Sequence, residues 1–279
     1  TEIGQGADTV FSQMVAETLH TDMEHVHIMS TQDTDISPFD TGAYASRQSF
    51  VTGTAVRHCA EILRDKILAY AKTLLPEIDT TELELRDNWI WAGKEQAISL
   101  AALAEESYYS LTNSSVLTAE VSEQVKKNTI ATGCCFAEVE VDMKLGKIKV
   151  LHIINVHDSG KLLNPQLAEM QVHGGISMGM GYGISEQLIL DEKTGRPLNG
   201  NLLDYKLMTM LDTPELKADF VELDDPIGPY GNKALGEPPA IPCAPAIRNA
   251  VLHATGVAFN ENPLTPQRLI DGFQKAGLI

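Results

Sequence analysis

Between Cys134 and Val156 the sequence reads CCFAEVEVDMKLGKIKVLHIINV. Apolar and polar residues alternate on both sides of the tetrapeptide KLGK. A period of two fits a half-buried strand and no helix, and a short glycine-containing break between two such runs predicts a β-hairpin. A second hairpin is expected in LELRDNWIWA, turning at Asp87-Asn88. HVHIMST reads as a strand, with Val26 and Ile28 on one face, and ADFVELDD as another.

Helical spacing fills much of the remainder. Val10, Met14, Val15 and Leu19 predict a helix over 8–19, and a long helix is expected over about 46–75. ISLAALAEESYYSL and NPQLAEMQVHGGISMGMGYGISEQL read as two more. PPAIPCAPAIRNAVLHAT reads as a helix opened by its prolines, and 265–276 as a last one. Strands and helices mix without a strict β-α repeat, so the class is α+β. A chain of 279 residues suits two packed α/β lobes. The polar stretch 111–129 divides them, giving a first lobe at 1–115 and a second at 116–279.

The formal net charge of -17 argues against nucleic acid and anionic membranes as partners. Cys59, Cys134, Cys135 and Cys243 form no CxxC pair, and no Cys-His spacing suits zinc. This usage fits a reduced, cytoplasmic chain. The opening TEIGQGADTV, a strand end running straight into a helix, suggests a fragment or one piece of a split subunit.

Several motifs carry candidate chemistry. Gly175, Gly179 and Gly183 fall four apart on one helical face, which lets another backbone approach. In EIGQGADT, Gly4-Gln5-Gly6 precedes a helix whose first N–H groups could meet an anion or a polar ring; the alternative is a glycine turn with a solvated Gln5. DTGAYASRQSF repeats the theme: Thr41, Gly42, Ala43, Tyr44 and Ser46 could bring backbone N–H groups to a ligand, or merely cap the helix. His25 and His27 share a face but have no third ligand nearby, and VHDSG at 156–160 is too local to form a hydrolase triad. Glu237, in GNKALGEPPAIP, is aimed by its neighbours. Pro238 excludes it from the α region, Gly236 removes bulk, and Pro239 is placed early in the following helix. If buried among Ala234, Leu235, Ala240 and Ile241, its pKa would rise toward that of a general base; the alternative is an acid favoured by a helix dipole.

TEIGQG, TGAYASRQ, EMQVHGG and KALGEPP occur in this order over a likeness that runs through the whole chain. Together they make the sequence resemble the C-terminal part of the molybdenum-binding large subunit of the xanthine dehydrogenase/aldehyde oxidase family. STQDTDISPFDTGAYASRQSFVTG and NLLDYKLMTM look closest to bacterial xanthine dehydrogenases. The resemblance implies a molybdenum–molybdopterin cofactor and oxidative hydroxylation of purines, with water as the oxygen source. It implies that Glu237 is the catalytic base, taking a proton from a hydroxide on the metal. It assigns Ile3 and Gln5 to the pterin edge, and Thr41, Gly42, Ala43, Tyr44 and Ser46 to the loop that cradles the cofactor. The Ala43 backbone would lie nearest the metal, which takes no side-chain ligand, and Gln171 would stand near the metal and pterin. Tyr44 departs from the smaller residue of several relatives.

The same resemblance places iron–sulfur clusters and FAD on other domains or subunits. It also puts the substrate-gripping aromatics, an orienting arginine, an earlier glutamine and a glycine-rich loop in the N-terminal half of the molybdenum domain, a required partner. Aldehydes, nicotinate or other N-heterocycles are alternative substrates within the family. A catalytically inert structural fragment is the alternative outside it.

Overall fold

The computed structural model describes residues 1–279. The chain divides into two compact units: Thr1–Asn128 with Ile227–Pro229, and Thr129–Pro226 with Tyr230–Ile279. Helices and two small sheets make up an α+β fold. No helix is long and apolar enough to cross a membrane.

In the first unit, α1 (Ala7–Leu19) and α2 (Gln48–Leu74) precede a three-stranded antiparallel sheet. Its strands are β1 (Leu83–Arg86), β2 (Trp89–Ala92) and β3 (Glu95–Ser99), followed by α3 (Leu100–Tyr109). Asp87 and Asn88 both take positive φ, 52° and 62°. This is the two-residue turn whose twist matches that of the flanking strands. Leu85, Ile90 and Leu103 are fully buried and join Ile67 and Ala71 of α2 in one core. The third strand, β3, carries a weak pattern, Glu-Gln-Ala-Ile-Ser, and was not expected.

Residues 25–31, expected as a strand, are not one. A single 3₁₀ turn, Met23–His25, leads into irregular chain. A strand needs a neighbour for its backbone N–H and C=O groups. None pairs with this segment, and His25, His27 and Ile28 are exposed.

The second unit is built on the expected hairpin. β4 (Thr132–Asp142) pairs antiparallel with β5 (Lys147–Asp158), turning through Gly146 at φ 60°. β6 (Glu215–Phe220) adds to β5 in parallel, so β5 is the central strand. Parallel pairing requires a crossover, and α4 (Pro165–Ile184) lies within it. β6 ends at Phe220 instead of reaching Asp225, because its ladder matches His152–His157 and β5 ends at Asp158. α5 (Cys243–Thr255) and α6 (Pro266–Lys275) complete the unit.

One side of this sheet is covered. Ile153, Val172, Ile176, Ile247 and Phe273 bury completely in a common core, whereas Phe136 and His152 on the opposite side are exposed. The β4–β5 ladder carries one irregularity: Glu138 faces His152 and Val139 faces Val150, so Leu151 has no opposite residue. This bulge re-phases β5. Ile148 and Val150 face inward before it; Ile153, Asn155 and His157 do so after it.

The helix expected from Pro238 onward begins later, at Cys243, with Pro242 as its N-cap. Residues 238–242 form a turn instead. Pro242 disfavours the α conformation at Ile241, so helix can grow only beyond it.

Candidate functional site

In the first unit the candidate residues lie on two loops. Gly6 is the N-cap of α1 and takes φ 87°, open to glycine at little cost. The N–H groups expected to be free there are engaged. The Glu2 carboxylate accepts from the backbone N–H of Gly4 at 2.6 Å, Asp8 at 3.0 Å and Gly6 at 3.3 Å. Burial pushes the Glu2 carboxyl up, but these backbone N–H groups outweigh it and hold the group below its ordinary range. Gln5 ties the loop to α2: its Oε1 accepts from Ile3 N at 2.7 Å, and its Nε2 donates to Thr1 O at 2.9 Å and to the buried Gln48 side chain. Ile3 is exposed.

The second loop is Thr41 to Ser46. Gly42 has φ 106°, and Ala45 and Ser46 are both left-handed at about 50°. Two consecutive non-glycine residues in that region are strained. Arg47 braces the loop, donating from Nη1 to Asp40 Oδ1 at 2.9 Å and to Gly42 O at 3.2 Å, with its guanidinium 5.7 Å from the Tyr44 ring centre. Burial raises the Asp40 carboxyl, yet Arg47 and the Gly42 N–H bring it below its usual value. Thr41 and Tyr44 are exposed; Gly42, Ala43 and Ser46 are partly so.

In the second unit the structure brings Gln171 to the residue that precedes Glu237. Gln171, on α4, donates from Nε2 to Gly236 O at 3.2 Å. The turn after Gly236 closes through Ala240 N to Glu237 O at 3.0 Å. The glycine face of α4 packs against this turn, as its spacing suggests. A Cβ on Gly175 would stand 2.6 Å from Pro239 Cβ, and one on Gly179 would stand 2.6 Å from both Ala240 O and Cys243 Cβ. Gly183 meets α5 at Ala244.

A residue that no sequence signal marked holds the same turn from β5. Asn155, fully buried on β5, donates from Nδ2 to Pro239 O at 2.8 Å. Pro238 and Pro239 have no N–H, so this part of the turn can be gripped only through its carbonyls. Glu237 itself is exposed in this chain, so the burial expected among its apolar neighbours is not present here.

VHDSG ends β5. Asp158 pairs with Lys233 Nζ at 2.6 Å, both side chains being 11% exposed, and Lys233 N donates to Ser159 O at 2.7 Å. The ion pair thus ties the KALGEPP segment to the end of the central strand. Burial raises the Asp158 carboxyl, while Lys233 and the N–H groups of Gly160 and Leu223 more than reverse it. Burial lowers the pKa of His157 beside it. No group of three His, Cys, Asp or Glu side chains that could hold a metal ion is present.

Comparison with known proteins gives a consistent answer. A family model described as molybdopterin cofactor-binding domain matches residues 1–214. The chain is 50% identical over 281 aligned residues to a putative xanthine dehydrogenase molybdenum-binding subunit of Escherichia coli K12, covering 100% of this chain and 37% of that protein. Among solved structures it resembles CO dehydrogenase from Oligotropha carboxidovorans (TM-score 0.90, 26% identity, 100% of this chain and 35% of that one). It also resembles quinoline 2-oxidoreductase from Pseudomonas putida 86 (TM-score 0.88, 26% identity, 99% and 36%). The chain therefore spans little more than a third of the relatives it matches.

Proposed function

The chain belongs to the molybdopterin-binding domain of the xanthine dehydrogenase/aldehyde oxidase family, and from that premise we propose that it is the C-terminal part of a purine-hydroxylating molybdenum subunit. The observation that carries the site assignment is the Glu237 turn: an exposed carboxylate on a two-proline segment whose flanking carbonyls at Gly236 and Pro239 are both fixed by buried or half-buried amides. The purine assignment is supported by 50% identity along the whole chain to a putative xanthine dehydrogenase subunit.

The residues fit a flat cofactor on one count visible in this chain. Both first-unit loops are open on their outer side: a Cβ on Gly4 would meet nothing within 4 Å, and one on Gly42 only the Tyr44 ring at 4.0 Å. A planar group can approach backbone that closely only where side chains are absent. Ile3 and Gln5 would meet the pterin edge. Thr41, Gly42, Ala43, Tyr44 and Ser46 would cradle the group, with the Ala43 backbone nearest the metal. When bound, the molybdenum–pterin group supplies two-electron redox chemistry with water as the oxygen source.

Glu237 supplies the proton acceptor. A carboxylate on a pre-set backbone loses little conformational freedom when it takes a proton at Oε, and positioned acid–base groups contribute about 10²–10⁴-fold to rate. Gln171 stands beside it and fixes Gly236. The N-terminal half of the molybdenum domain, with iron–sulfur and FAD domains or subunits, would provide the remaining substrate contacts and the electron path. A reduced, cytoplasmic setting goes with this reading.

The test is E237Q in the complete enzyme. The expected result is a fall in kcat of about 10²-fold or more, with molybdenum and pterin content unchanged. Turnover close to wild type removes the base assignment. A second reading, hydroxylation of another N-heterocycle, is favoured by the likeness to quinoline 2-oxidoreductase. Higher kcat/KM for quinoline or nicotinate than for hypoxanthine or xanthine would establish it, and a preference for an aldehyde would point to an aldehyde-oxidising relative instead. Protein that lacks molybdenum and pterin altogether as purified would support an inert structural role.

A further inference from the structure

Asn155 sits at a position where an apolar residue would serve the fold better. It lies in the C-terminal half of the central strand, opposite Cys135 on β4 and Ala218 on β6, with no exposed surface. Its inward neighbour Ile153 belongs to the hydrophobic core. Burying an amide there removes it from water, and the structure recovers only part of that loss. Nδ2 reaches Pro239 O, whereas Oδ1 has no hydrogen-bond partner. A half-satisfied amide in a core is a poor device for stability.

The surroundings let the amide reach the turn and the start of α5, where Nδ2 also lies 3.8 Å from Cys243 Sγ. Both cross-strand neighbours are small, and the bulge at Leu151 is what turns Asn155 inward. The carbonyl it holds belongs to the residue two positions after Glu237. The only other donor recorded on that carbonyl is the Cys243 thiol at 3.1 Å, a weak one. Gln171 grips the carbonyl one position before Glu237. Two amide side chains, from β5 and α4, therefore bracket the carboxylate's backbone.

We propose that Asn155 is a positioning residue: its amide fixes the Pro239 carbonyl and thereby the direction in which Glu237 presents its carboxylate. This rests on the reading of Glu237 as the base, and the experiment separates the two. In the complete enzyme, N155L replaces the amide with an apolar side chain of similar size, which suits the core but cannot donate. Amide exchange is measured at Ala240, whose N–H closes the turn onto Glu237 O. Steady-state kinetics are measured for N155L, E237Q and the double variant.

Exchange at Ala240 is expected to rise about tenfold while β6 and α6 stay unchanged, and kcat to fall about 10- to 100-fold with KM within about twofold. The double variant is expected to be no slower than E237Q, because both changes act through one group. Ala240 exchange or kcat within about twofold of wild type overturns the proposal, as does a double variant slower than E237Q by the full N155L factor. Near-normal turnover by E237Q would remove the base reading, and the exchange measurement would then decide by itself whether Asn155 holds the turn. Should N155L not yield folded protein, N155S, too short to reach Pro239 O, is read in the same way.

Discussion

Replacing Gly179 by alanine tests how closely α4 lies against the Glu237 turn. Alanine normally gains about 0.8–1.0 kcal/mol over glycine inside a helix. Here the added Cβ would stand 2.6 Å from Ala240 O and from Cys243 Cβ, roughly 0.9 Å inside the ~3.5 Å at which such atoms attract. One neighbour is backbone and the other begins a helix, so neither gives way without moving the turn. Overpacking of this kind costs about 1–3 kcal/mol.

Gly174 provides the internal standard. It lies on the same helix, is exposed, and a Cβ there would meet nothing within 4 Å. The propensity gain is common to both variants, so their difference isolates the clash. G174A should be stabilised by about 0.8–1.0 kcal/mol, and G179A should lie about 1–3 kcal/mol below G174A. At about 2–4 °C per kcal/mol for a unit of this size, the two should melt about 2–12 °C apart. Both tryptophans, Trp89 and Trp91, lie in the first unit. Far-UV circular dichroism and amide exchange in α4 and α5 are therefore the assays. Equal stability of G174A and G179A would refute the close approach.

Two further predictions follow from buried or strained polar groups. K233M should destabilise the second unit by about 3–5 kcal/mol, since it leaves the Asp158 carboxylate largely buried and unpaired; urea unfolding followed by circular dichroism measures it. Because the folded-state pKa of Asp158 is lowered, its contribution in the wild type is fully present above the unfolded value of about 3.9 and is lost as pH falls through the folded value. N88V should weaken the first unit by about 1–3 kcal/mol, because a β-branched residue would have to take φ 62°. The emission of Trp89 and Trp91 on the adjoining strand reports that loss directly.

Features fixed by near neighbours in sequence were legible. KLGK and Asp87-Asn88 announce hairpins because a turn needs only its own few residues, and the 175/179/183 spacing announces a face because helical geometry is local. The segment at 25–31 failed for the converse reason: its apolar alternation is real, but pairing depends on a partner strand that the fold does not supply. The late start of α5 was readable in principle, since Pro242 restricts Ile241, yet the preceding Pro238-Pro239 pair drew the boundary too early. Glu237 stands out through its glycine and proline neighbours as well as by resemblance, whereas Gln171 is marked by resemblance alone. Their link through Gly236 was not legible, because 65 residues separate Gln171 from the carbonyl it holds. Asn155 was invisible. Simple alternation from Ile148 and Val150 would turn it outward, and only the bulge at Leu151 reverses the phase.

The separations within the second unit also order its assembly. The β4–β5 hairpin closes across Asp142 and Lys147 and needs almost no loop entropy. The grip of Asn155 on Pro239 spans 84 residues and must wait for the crossover helix and β6. A nascent or refolding chain therefore acquires its β4–β5 hairpin well before the turn at Pro239 is gripped. A variant slowed only in this late docking would look folded by circular dichroism while protection of the Ala240 amide lagged behind, and pulsed hydrogen exchange would expose that interval.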